Sequence, residues 1–147
     1  MDRERPKPLL AAAFTCERIL READEVISAI RIVDTFTAHE SLPDDAPINV
    51  SLWAMIYFKS GPATGRYTVS LAMHPQGGEN RPMGEPMPID LLGGAHGTTL
   101  GVELHIAVKQ AGLYWVDVLV DGEMVTSMPI TLRRAPSSAA TRSIGTS

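Results

Sequence analysis

The stretch GLYWVDVLVDGEMVTSMPITL, residues 112–132, reads as two strands joined at Asp121-Gly122. Asp-Gly supplies the positive φ angles of a two-residue type I′ turn, whose twist matches that of the strands it joins. Such a turn sets Val120 opposite Glu123, Leu119 opposite Met124, Val118 opposite Val125 and Trp115 opposite Met128. Tyr114, Val116 and Val118 then share the face that lines a core. Trp115, Leu119, Met124 and Met128 collect on the other face as an apolar stripe.

The preceding segment TLGVELHIAV (99–108) alternates in the same way, with Val102, Leu104, Ile106 and Val108 on one side and Glu103, His105 and Ala107 on the other. RYTVSLAMH (66–74) puts Tyr67, Val69, Leu71 and Met73 on one face, and INVSLWAMIYF (48–58) is rich in branched and aromatic residues. Gly61, Pro62 and Gly65 break the pattern between those two runs. HPQGGENRPMGEPMP (74–88) carries enough proline and glycine to read as a long surface loop, and GGAHG (93–97) as a flexible connection. The first third is ambiguous by periodicity. Cys16, Ile19, Leu20, Ala23, Val26, Ile27 and Ile30 recur at helical spacing, yet LLAAAFTCERIL (9–20) and VISAIRIVDTFT (26–37) also read as strands with READE as their turn. The open edges of an all-β remainder favour the hairpin.

With 147 residues, 44% hydrophobic and 20% charged, the chain suits one globular domain and excludes collagen-like, disulfide-dense and acidic disordered classes. No apolar run approaches the length of a spanning helix, so a membrane role is not expected. MDRERPKP at the start carries a net +1 and RRAPSSAATRSIGTS at the end +3, so a chain of net charge −4 leaves −8 on residues 9–132. An acidic body repels phosphate backbones, which argues against nucleic acid. These shifts divide the chain into a flexible N-terminus (1–8), a β-sandwich domain (9–132) and a disordered C-terminal tail (133–147). The lone Cys16 fits a cytoplasmic protein, and its flanking Thr15 and Glu17 do not suit a lipoprotein attachment site.

Ala111, Gly112 and Tyr114, within LHIAVKQAGLYWV, resemble the tyrosine corner of immunoglobulin-like domains, where the hydroxyl bonds backbone a few residues upstream. Val116 stands where that fold usually has a cysteine, so no inter-sheet disulfide is implied, and Trp53 is at most a loose counterpart of its buried tryptophan. TCERILREADEVISAIRIVDTF near the start and the Asp-Gly hairpin at the end are similar to a group of small uncharacterised bacterial proteins. The resemblance implies an all-β, immunoglobulin-like, antiparallel two-sheet β-sandwich and brings no activity with it.

Catalytic signatures are scarce: there is no nucleophile elbow, phosphate loop, His-Glu-x-x-His, paired cysteines or dinucleotide fingerprint. His39, His74 and His96 with Asp44 or Asp45 have no ligand spacing and read as loop residues. Glu103 and His105 share a strand face and suit either an acid/base pair or a wetted surface. The expectation is a non-catalytic assembly or protein-interaction component without cofactor or metal. Trp115, Leu119, Met124 and Met128 would be buried against another copy or another protein. The alternative is a small-molecule or peptide binding module using His74–Pro88 and Leu91–Gly97 as its loops.

Overall fold

The computed structural model describes residues 5–24, 26–38 and 46–134. All regular structure there is β: β1 (Leu9–Arg21), β2 (Ile27–Ile32), β3 (Thr35–Thr37), β4 (Ile48–Pro75), β5 (Arg81–Val108), β6 (Gly112–Val120) and β7 (Glu123–Arg133). The first third is therefore a hairpin. Glu22 N–H donates to Val26 O across its turn, at 2.8 Å.

The expected pair of separate antiparallel sheets is replaced by one hydrogen-bonded sheet that curls over a single core. Its order is β2-β1-β4-β6-β7-β3, with β5 paired to β4 outside that path, and β3 lies parallel to β7. The curl is made by β4 and β5, each 28 residues long, which pair along their whole length and bend together. Gly61 and Gly94 face each other at the bend with φ of 56° and 61°, in the left-handed region that glycine enters at no steric cost. Register shifts between Lys59 and Thr64 change the parity of β4. Leu52, Ala54, Ile56 and Phe58 point inward before the bend, and Ala63, Tyr67, Val69 and Leu71 after it.

The bend explains why the two proline- and glycine-rich segments are not loops. Gly61–Gly65 and Gly93–Gly97 are the two sides of one corner, and Arg81–Pro88 continues β5 beside β4. Pro82, Pro86 and Pro88 are tolerated because β5 is an edge strand, where a missing N–H costs no ladder bond on the outer side. Only residues 76–80 form the turn that links β4 to β5.

The two rims of the curl are built differently. On one, the chain passes from β2 to β3 through Val33 and Asp34 and ties β1 to β7. Val33 N–H donates to Thr15 O (3.2 Å), the Thr15 hydroxyl to Val33 O (2.6 Å), and Thr131 N–H to Asp34 O (2.7 Å). On the other rim β5 pairs only with β4, so both of its halves are open edges among the described residues.

Arg5 to Lys7 lie against Tyr67 and the tip of the closing hairpin. The Arg5 guanidinium sits 3.8 Å from the Tyr67 ring centroid, donates to Arg66 O (2.7 Å) and pairs with Asp121 at 3.2 Å. The Tyr67 hydroxyl donates to Pro6 O, and Lys7 pairs with Glu123. Arg133 ends β7 and Arg134 donates to Lys109 O; the rest of the expected tail, 135–147, lies outside the described residues.

Candidate functional site

The Asp121-Gly122 turn forms as the dipeptide requires, with φ of 48° and 84°, and Leu119 faces Met124 beyond it. A bulge follows. Val125 is an extra residue on β7, so Val118 faces Thr126, Val116 faces Met128 and Trp115 faces Pro129. The one-residue slip turns Met128 inward, where it is 5% exposed beside Ile130 and Leu132. The pairing of Trp115 with Met128 is thus corrected, and the apolar stripe ends at three residues. Trp115 and Leu119 are half-buried on the outer face of β6, and Met124 is 62% exposed near the hairpin tip.

That outer face is more polar than an apolar stripe suggests. Asp117, between Trp115 and Leu119, is buried and accepts a short hydrogen bond from the Ser127 hydroxyl. His74 on β4 brings Nε2 to 3.4 Å from the other carboxylate oxygen, and its Nδ1 lies 2.9 Å from Pro75 O. The Trp115 indole N–H donates to Gln76 Oε1 at 2.7 Å. Here the carboxylate stands between serine and histidine, so the histidine cannot take a proton from the serine. The group is a hydrogen-bonded cluster and lacks the order of a nucleophile–base pair.

Glu103, His105 and Ser51 have the other order. Ser51 Oγ is 3.0 Å from His105 Nδ1, and His105 Nε2 is 3.2 Å from Glu103 Oε1. Cross-strand pairing of Ser51 with His105 creates the set. It lies on the outer face of the sheet, with the His105 side chain 70% exposed and that of Glu103 47%. Glu103 and His105 also border the cleft of the open rim, but both side chains stand largely in water, and exclusion of water is what gives such groups catalytic strength.

The open rim holds a cleft of about 610 Å³ between the two halves of β5. Met73, Met83 and Met87 line it together with Val102, Leu104 and Ile106, and the polar Arg81, Glu85, Glu103 and His105 border it too. Methionine is unbranched and polarizable, so such a lining adapts to the shape of what packs on it. A second groove of about 360 Å³ runs beside the closed rim, between Phe14, Ile32, Val33 and Pro129.

The remaining sequence candidates do not converge. No three His, Cys, Asp or Glu side chains group as a cation cage among the described residues, and His39, Glu40, Asp44 and Asp45 lie outside them. Cys16 is fully buried on the outer side of β1, opposite Trp53, and burial pushes its thiol up from the ordinary value. Tyr114 behaves as a tyrosine corner: its hydroxyl donates to Gln110 O at 2.6 Å, its ring is buried, and burial raises its pKa. No helix among the described residues is long and apolar enough to cross a membrane.

No known protein family matches the chain, and no curated protein does. Among solved structures the chain is similar to part of a Pseudomonas fluorescens alkylpurine DNA glycosylase, AlkC, bound to DNA containing an abasic site analog. The TM-score is 0.50 and the identity 18%, over 68% of this chain and 27% of that one. A Listeria innocua β-glucosidase in complex with isofagomine matches with TM-score 0.46 and 13% identity, over 86% of this chain and 16% of the glucosidase. The chain thus spans only a small part of either enzyme, and the likeness to the glycosylase bears on fold alone.

Ser51, Asp117, Ser127 and the cleft methionines were not singled out by sequence reasoning. Each becomes visible only through cross-strand register. Alternation along RYTVSLAMH and TLGVELHIAV already marks the inward faces of Met73 and Leu104, but nothing local shows that β5 doubles back to set them across one cleft.

Proposed function

We propose that this chain is a non-catalytic β-sandwich domain that works as an assembly component, associating with another copy or another protein. It is immunoglobulin-like in that the two halves of its curled sheet stack on a common core around a tyrosine corner. The observation that carries the reading is the open rim: two unpaired edges of β5 flank a methionine-lined cleft. Exposed edges are templates for pairing, and adaptable apolar linings are typical of surfaces that accept protein partners. The outward Trp115, Leu119 and Met124 add apolar area on a neighbouring face. The exposure of Ser51, His105 and Glu103 supports a binding role over a catalytic one. We place the domain in the cytoplasm, where a lone buried thiol needs no partner.

Sedimentation velocity from low to high micromolar concentration tests this reading. A mass that rises toward a multiple of the 15.9 kDa chain supports it. A strict monomer whose melting temperature rises with a small metabolite would replace it with a ligand-binding module.

A further inference from the structure

The edges of this sheet are not equally guarded. β2 is six residues long and contains Arg31 with a positive φ of 55°, and β3 has only three residues. The first half of β5 carries Pro82, Pro86 and Pro88, which remove donors from its edge. The second half, Gly97–Val108, has no proline and no lysine, and it pairs with β4 alone. An unguarded edge of these twelve residues runs about 40 Å, long enough to template a strand of equal length.

The sequence of that edge is self-complementary about Leu104. When it lies antiparallel to an identical strand with Leu104 at the centre, Glu103 faces His105, Val102 faces Ile106, Gly101 faces Ala107 and Leu100 faces Val108. Every apolar residue meets an apolar one, and the acid meets the base. The faces agree as well. Val102, Leu104 and Ile106 pair with the inward Ala54, Leu52 and Val50, whereas Glu103 and His105 pair with the outward Trp53 and Ser51. A two-fold axis normal to the sheet keeps each face on its own side, so the outer surface of the joined strands carries two Glu–His pairs. The paired edge borders the methionine-lined cleft of each copy, because Val102 to Ala107 line it from both faces of the strand.

We propose that the chain forms a two-fold dimer by antiparallel pairing of Leu100–Val108 with the same segment of a second copy, merging two curled sheets into one. The proposal rests on the reading of the domain as an assembly component and names its partner and its surface. The symmetry is that of an isologous interface, in which each contact occurs twice.

Charge-swap variants on the outer face test it, because His105 and Glu103 are exposed and outside the core. His105→Glu sets Glu103 of each copy against a second acid, twice by symmetry, and weakens the dimer by about tenfold or more. Glu103→Lys combined with His105→Glu restores opposite charges at both positions and returns the mass to that of two copies. Should His105→Glu prove unfolded, Glu103→Cys mixed with His105→Cys decides: under mild oxidation the mixture gives a covalent dimer of one copy of each, far faster than either variant alone, because positions 103 and 105 face each other only between copies. A dimer that persists in His105→Glu, fails to cross-link and dissociates in Trp115→Glu overturns the edge pairing and leaves the assembly reading standing on another face. A wild-type chain that stays monomeric at high micromolar concentration overturns both.

Discussion

The two rims of this curled sheet meet the same problem with opposite results. A sheet that wraps a core has to turn a corner, and here one strand serves both halves on each side. On the closed rim that strand is the β2–β3 segment, which crosses between β1 and β7 at Val33 and Asp34 and hydrogen-bonds to both. On the open rim it is β5, which turns with β4 and therefore lies outside it in both halves. A strand that switches partners seals a rim. A strand that keeps its partner through the bend leaves two edges exposed.

The largest expected effect comes from breaking the closed rim. Phe36, in three-residue β3, is only 6% exposed and packs in the core, so Phe36→Ala should cost about 3–5 kcal/mol, the usual range for deleting a buried aromatic ring. Met87→Ala at the open rim removes a half-buried side chain and should cost markedly less. Denaturant midpoints of the two variants check the contrast, and equal losses would remove the distinction between the rims.

Tyr114 offers an intermediate test, since its bond to Gln110 O fastens the turn that follows the open-edge strand. Tyr114→Phe should cost about 1 kcal/mol, the net worth of one hydrogen bond. Burial lifts the Tyr114 pKa above its ordinary 10.0, so the folded protein holds this proton more tightly than the unfolded chain. The resulting contribution to stability is complete below pH 10 and is lost as pH rises through the folded value. Alkaline unfolding curves should be shallower for Tyr114→Phe than for the wild type. Identical curves would mean that the phenol does not contribute in this way.

The smallest effect lies at the corner that creates both rims. Ser60 is fully buried next to Gly61, and its hydroxyl has no hydrogen-bond partner among the described residues. Ser60→Ala removes a desolvated group that gains nothing from burial and should raise stability by up to about 1 kcal/mol. A fall in the thermal midpoint would show that the hydroxyl is satisfied after all.

Much of the strand content was legible because alternation is a local property. The inward faces of 67–73, 102–108 and 114–118 follow from a period of two, and the hairpin tip follows from Asp121-Gly122. The candidate stripe was legible only up to the first bulge: Val125 shifts the register by one residue and moves Met128 from the outer face to the core. Prolines at 82, 86 and 88 were good evidence against a central strand and no evidence against an edge one.

Where the closing hairpin turns and which residues of the alternating strands avoid water follow from neighbours a few residues apart, whereas Arg81–Pro88 and Gly93–Gly97 extend only because β5 pairs with β4. The sequence also carried the self-complementary pattern around Leu104. That the strands form one curled sheet, and that β4 and β5 bend together at Gly61 and Gly94, is a property of the whole fold. The fold alone made Leu100–Val108 an edge. Which strand is left at an edge depends on the order of all the pairings, and that order is fixed by contacts between residues as distant as Thr15 and Val33, Asp34 and Thr131, or Ile48 and Val108.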